Sequence, residues 1–286
     1  MAIDYDNLLS MEFPEVEQAY TLKDTMLYGL GLGLGMDPLD EAQLRFVYEK
    51  ELRALPTMAA VLGHPGFWAR ESGTGLDWVR ILHGEQSLIF HDTLPPQGAI
   101  RSKTRITQII DKGADKGALL FLEREGVEAA SGRSLFTARQ TIFARGDGGF
   151  GGPKVSTPPP HTLPEGPPEA VCDLPTLPQA ALIYRLSGDD NPLHADPAVA
   201  KQAGYEAPIL HGLCTFGVAG HALLKTFCGY DPARLKAIQV RFSAPVYPGE
   251  TLRTEMWRDG PVVSFRTLAV ERELVVLNNG RAEVSP

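Results

Sequence analysis

Four short strings recur in the same order in the two halves of this chain, which constrains its fold more than any other feature. Tyr28-Gly29-Leu30 is matched by Tyr184-Arg185-Leu186, and Asp37-Pro38-Leu39-Asp40 by Asn191-Pro192-Leu193-His194. Ile81-Leu82-His83-Gly84 is identical to Ile209-Leu210-His211-Gly212, and Ile100-Arg101-Ser102 resembles Leu252-Arg253-Thr254. One such match is coincidence, but four in order read as a duplicated module. Between the halves, Gly148 to Pro168 contains five glycines and seven prolines, more than half of the stretch. Such a segment cannot pack as a regular element, so residues 147–170 read as a linker joining modules at 1–146 and 171–286.

Within the first module, residues 1–19 read as a lead-in. Tyr20 to Leu34 has helical spacing that dissolves into Gly29, Gly31, Gly33 and Gly35, glycines that do not satisfy GxGxxG. FVYEKEL, inside Arg45 to Leu52, reads as a strand. ILHGEQSLIF, AIRSKTRITQII, ALLFLEREGVEA and SLFTARQTIFA then alternate apolar and polar residues, as antiparallel strands do. In the second module a short helix at Leu177 to Tyr184 leads into a loop. A helix from Gly212, stopped by Gly229, precedes the strands IQVRFSAPV, TLRTEMW, VVSFRTLAV, ELVVLNN and RAEV, with Asn279-Gly280 signalling a last hairpin.

A length of 286 residues with 43% hydrophobic content supports a sizeable core. The net charge of −8 argues against a nucleic-acid or anionic-membrane surface, so an anionic ligand must meet a local basic patch. No apolar run approaches a membrane span. Cys172, Cys214 and Cys228 are odd in number and lack CxxC spacing, which fits a reducing compartment rather than a disulfide framework or zinc ribbon. The acidic N-terminus, interrupted by Pro14, reads as neither signal nor transit peptide, and AEVSP is not a peroxisomal tripeptide. The cytoplasm, of a bacterium, is the compartment expected.

Candidate chemistry is concentrated between Tyr184 and Leu224. Ser187 to Pro192 must be a loop, because Pro192 lacks an N–H and Gly188 and Asn191 favour turns. Across it Asp189 and His194 lie five positions apart, so a carboxylate and an imidazole can converge on one water and move its protons. Gly212 begins a helix, where an unsatisfied N–H at the positive end of the dipole can receive a developing oxyanion. The residues alone leave a second reading open, in which the acidic loop is a helix cap and the pair a surface contact. Asp189, Asp190 and His194 lack the spacing of a metal site, and none is expected.

The strings YRLSGDDNPLHADP and PILHGLCTFG resemble the signature of the type 2 enoyl-CoA hydratases, a MaoC-like group with the hot-dog fold. The likeness is greatest to the hydratase portion of the peroxisomal multifunctional type 2 enzymes. It extends to YGLG at Tyr28, LHGEQ at Leu82, GGFGG at Gly148 and RFSAPVYPGETLRTEMW at Arg241. The resemblance implies an α+β double hot-dog fold with one extended antiparallel sheet, and syn addition of water to a trans-2-enoyl-CoA giving the (R)-3-hydroxyacyl-CoA, as in β-oxidation. It implies no cofactor, since CoA is part of the substrate, and a homodimer as the assembly. Carried over from the family, Asp189 and His194 activate the water, Asn191 orients it, and the Gly212 N–H stabilises the enolate oxygen. His83, Gly84, Lys112 and Phe242 fall on substrate-contacting positions. Alternatives are a thioesterase of the same fold and a catalytically silent acyl-CoA-binding subunit.

The copies differ where function lies. The first has Asp40 where the second has His194, and nothing to match Asp189, so one active site per chain is expected. Pro96 follows Gly84 by 12 positions, whereas Pro248 follows Gly212 by 36. The first module therefore has no room for the long hot-dog helix. Its absence is expected to leave an apolar cavity for a medium- to long-chain or bulky acyl group.

Overall fold

The computed structural model describes residues 3–71, 73–153, 155–157 and 159–286. The first half contributes strands β1 (Val16–Tyr20), β2 (Ile81–Phe90), β3 (Gly98–Asp111), β4 (Ala118–Glu128) and β5 (Ser134–Ala144). The second contributes β6 (Ala170–Pro175), β7 (Leu235–Phe242), β8 (Thr251–Asp259), β9 (Val262–Ala269) and β10 (Leu274–Val284). All ten form one antiparallel sheet in the order β1-β3-β4-β5-β2-β7-β10-β9-β8-β6. Read outward from its centre, each half has the same strand sequence, so the sheet carries a two-fold pseudo-symmetry. The halves meet where β2 pairs with β7, from Glu85 opposite Arg241 to Ile89 opposite Ala237. Arg241 donates to Glu85 Oε1 across that seam at 2.6 and 3.0 Å.

The helix Gly212–Phe227 lies on the inner face of the second half. It is buried without interruption from Cys214 to Leu224, the signature of a helix enclosed on all sides rather than on one stripe. Small residues make that enclosure possible. A Cβ on Gly220 would meet Thr57 Cγ2 at 2.5 Å, and one on Gly217 would meet Leu32 at 2.7 Å, so first-half segments press directly on the helix backbone. Between the short helix Glu41–Leu44 and β2, the place in chain order where the second half has this helix, the described residues of the first half form only 3₁₀ turns, at Pro56–Ala60, Trp68–Arg70 and Trp78–Arg80. Arg124 fixes the first of these, its buried guanidinium donating to the carbonyls of Ala59, Ala60 and Leu62.

Several expectations change here. The long helix is absent from the first module, but its space is not an open apolar cavity. Trp68 fills it, packed edge-on against Phe13 at 5.3 Å between ring centres and joined in one cluster with Ile106, Leu120 and Leu122. The residual hollow measures about 30 Å³ and has a wall of mixed polar and apolar residues. Ile81-Leu82-His83-Gly84 opens strand β2, which matches β7, whereas its identical partner ends at the start of a helix. That string is a coincidence, although the other three matches hold. Tyr28 and Tyr184 face each other 5.8 Å apart, and Arg101 and Arg253 occupy equivalent positions opposite β1 and β6. FVYEKEL forms turns, not a strand. Asn279-Gly280 is a bulge in the continuous β10, with Asn279 at φ 53°, because both neighbouring strands keep pairing beyond it.

Candidate active site

His194 ends the 3₁₀ turn Pro192–His194, which Asn191 caps by accepting from Leu193 N–H at 3.1 Å. Proline at the first position and an asparagine cap make this turn a local consequence of sequence. The imidazole is 8% exposed, and its Nδ1 lies 2.8 Å from the Ile209 carbonyl oxygen. A carbonyl only accepts, so Nδ1 carries the proton and the Nε2 lone pair faces outward. Asp189, half-buried, brings its carboxylate within 4.8 Å of the His194 and His211 ligand atoms. Its own carbonyl accepts from His211 Nε2 at 3.1 Å. His211 stacks on His194 with ring centres 3.8 Å apart and planes inclined by 28°.

Gly212 is the first residue of the long helix, so its N–H has no acceptor within that helix. A Cβ there would meet the Phe242 ring at 3.2 to 3.6 Å, which accounts for glycine at this position. The other side of Phe242 is covered by His83, edge-on at 4.7 Å. His83 Nε2 bonds the Glu85 carbonyl at 3.1 Å, and Gly84 occupies a bulge between β2 and β5 where a Cβ would approach Thr141 O at 3.2 Å. His83, Phe242 and Gly212 thus come together. Lys112 does not join them: it is exposed on the β3–β4 turn, which Asp111 ties to the glycine-rich stretch by accepting from Gly113, Gly149 and Gly151 N–H.

Electrostatics keep the site's imidazoles neutral. Burial pushes His83 down to about 4. Burial, reinforced by the neighbouring His194, lowers His211 to about 4. Burial also lowers His194, against the opposing pull of its bond to Ile209 and the Asp189 charge. A neutral His194 beside a carboxylate is suited to accept a proton. Asp189, His194 and His211 are close enough for a metal ion, with one nitrogen of each imidazole, His194 Nδ1 and His211 Nε2, already committed to a backbone carbonyl.

The chain matches two family models, the MFE-2 hydratase 2 N-terminal domain over residues 18–146 and the MaoC like domain over residues 160–279. It is 40% identical over 290 residues to "Enoyl-CoA hydratase 2, peroxisomal" of Arabidopsis thaliana, covering 95% of this chain and 93% of that protein. This chain belongs to the MaoC-like type 2 enoyl-CoA hydratases. The mouse peroxisomal multifunctional enzyme type 2 is also 40% identical, over 96% of this chain but 38% of its own length. The crystal structure of a MaoC-like dehydratase from Phytophthora capsici superposes with a TM-score of 0.87 at 33% identity, covering 99% and 98% of the two chains. The sheet described above is thus the double hot-dog of this family.

Two features of this MaoC-like site go beyond the sequence reading. His211 was passed over as mere context for Gly212, yet it binds the Asp189 backbone and stacks on His194. A polar residue in an apolar string just before a helix was the available signal. His64, solvent-exposed at one edge, lies near enough to feel the Asp189 charge. A second, wider cleft of about 690 Å³ runs beneath Thr157 and Pro159 to His161 and reaches Gly84 and Phe242. Its arginines are paired, Arg241 with Glu85 and Arg139 with Glu123, and it includes neither Asp189 nor His194.

Proposed function

We infer that this chain is an (R)-specific 2-enoyl-CoA hydratase. The observation that carries this reading is the commitment of His194 Nδ1–H to the Ile209 carbonyl, which presents a neutral Nε2 beside the Asp189 carboxylate. A water held by these two groups adds its oxygen to C3 of the enoyl thioester, and C2 takes a proton from the dyad on the same face. Negative charge moves onto the thioester oxygen as C3 is attacked, where the Gly212 N–H receives it. Asn191 spends its carboxamide oxygen on the turn cap, so it serves by holding His194 in place. In this reading His83 and Phe242 wall the thioester, and the exposed Lys112, apart from them, is assigned to the CoA phosphates.

The reading includes no cofactor beyond the substrate's own CoA. It also includes a homodimer, supported by exposed Leu30, Leu182 and Leu186 on adjoining helices, and the cytoplasm, supported by three buried free thiols. Among the described residues no helix is long and apolar enough to cross a membrane. The test incubates the protein with crotonyl-CoA and follows conjugated-thioester absorbance, free thiol and product chirality. Loss of absorbance with the (R) product and no thiol supports the hydratase. Thiol release points to a thioesterase, no reaction to a silent binding subunit, and the (S) product rejects the type 2 assignment.

A further inference from the structure

The 30 Å³ hollow is lined by His83, Leu213 and Trp68, and by neither Asp189 nor His194. Leu213 follows Gly212, so the hollow begins one residue from the N–H that receives the thioester oxygen. On the hydratase reading, acyl carbons beyond the double bond would extend into it. The rest of its wall is mixed: Ala60, Pro65, Leu122 and Ala138 are joined by five polar residues, Gln86, Thr104, Arg124, Gln140 and His64, many for an alkyl site. Gln86, Thr104 and Arg124 are 4%, 5% and 6% exposed.

Gln86 is bonded to the Ser87 carbonyl, but two other polar groups of the wall are unpaired. The Thr104 hydroxyl and the Gln140 carboxamide bond no other group among the described residues. Arg124 is a buried cation held by three backbone carbonyls, and no carboxylate pairs with it among the described residues. Filling the hollow with hydrocarbon would strip water from the Thr104 hydroxyl and the Gln140 carboxamide, return no hydrogen bond, and bring no counter-charge to Arg124, which is costly. An oxygen there would satisfy them.

We propose that this hollow recognises an acyl group bearing a hydrogen-bond-accepting oxygen, a carbonyl or a carboxylate, beyond the double bond. The proposal rests on the hydratase reading. Trp68 closes the far wall, so the oxygen-bearing tail is short. Sites built to hydrogen-bond a substrate group reject analogues lacking it far more strongly than apolar pockets reject a missing methylene.

The test measures kcat/KM of the unmodified protein for three six-carbon thioesters: trans-2-hexenoyl-CoA, its 5-oxo analogue and its terminal-carboxylate analogue. At least one oxygenated substrate should exceed the plain one by about tenfold or more. A larger gain for the carboxylate assigns charge pairing with Arg124; a larger gain for the ketone assigns the neutral donors. Thr104→Val, nearly isosteric, and independently Gln140→Leu, should each cut the oxygenated-to-plain ratio by about tenfold. The ratio within one preparation does not depend on the fraction folded. Equal or lower kcat/KM for both oxygenated substrates, or a ratio unmoved by both substitutions, overturns the proposal while leaving the hydratase reading intact. Hydration of none of the three overturns both.

Discussion

His194 and His211 stack at 3.8 Å, and each ring is tied to a backbone carbonyl on the other's segment. His194 Nδ1 donates to Ile209, two residues before His211, while His211 Nε2 donates to Asp189, five residues before His194. This reciprocal lashing holds a glycine- and proline-containing loop, which has little structure of its own, against the start of a rigid helix. His211→Phe keeps the ring and removes the bond to Asp189. It should lower kcat by about tenfold to a hundredfold through displacement of the carboxylate, with KM changed by less than about threefold. Steady-state kinetics with crotonyl-CoA check this, and a KM effect dominating over kcat would assign His211 to binding instead.

Asp189→Ala and His194→Ala should each reduce hydration by about 10²- to 10⁴-fold with the fold retained, as for positioned acid–base groups. Asp40, at the place of His194 in the first module, caps the short helix Glu41–Leu44, accepting from Ala42 and Gln43 N–H and from Gln43 Nε2. Asp40→Ala should cost about 1 kcal/mol of stability and leave turnover near normal. Near-normal turnover in either dyad variant would remove that residue from the mechanism.

Gly212→Ala keeps the N–H but drives a methyl to 3.2 Å from the Phe242 ring. The helix start must shift or the ring must turn, so kcat should drop by about tenfold or more. Phe242→Leu makes room, and the double variant should recover part of the loss. Strict additivity of the two substitutions in a double-mutant cycle would show that ring and glycine do not interact.

Burial lowers His83, His211 and His221 to about 4 and His194 below its usual value. In the unfolded chain each titrates near 6.5, so between about pH 6.5 and 4 the unfolded state binds more protons. The stabilisation is complete above pH 6.5 and is lost as the pH falls toward 4, by up to about 1.4 kcal/mol per pH unit for each such group. Urea unfolding at pH 7.5 and 5.0 measures this, with the lower midpoint at pH 5.0. Equal midpoints would mean that these imidazoles are solvated.

The sequence by itself determined the duplication, the linker, the strands β2 to β5 and β7 to β9, the helix from Gly212 and the convergence of Asp189 and His194 across one short loop. These rest on local causes: alternation of apolar and polar residues, glycine and proline at turns, and a short loop that leaves its ends near one another. Strand β1, within the lead-in, and strand β6, at the end of the linker, were not legible, because edge strands of five and six residues carry too little pattern. Only the tertiary structure decided which shared string was coincidental, since Ile81 to Gly84 acquires its meaning from pairing with β5 and β7. It also decided that His211 stacks on His194 and that Trp68 and Arg124 line a small hollow in the first module. Those outcomes depend on contacts between segments far apart in the chain, such as Arg124 with Ala60 and Phe13 with Trp68, and such contacts leave no periodicity in the sequence to read.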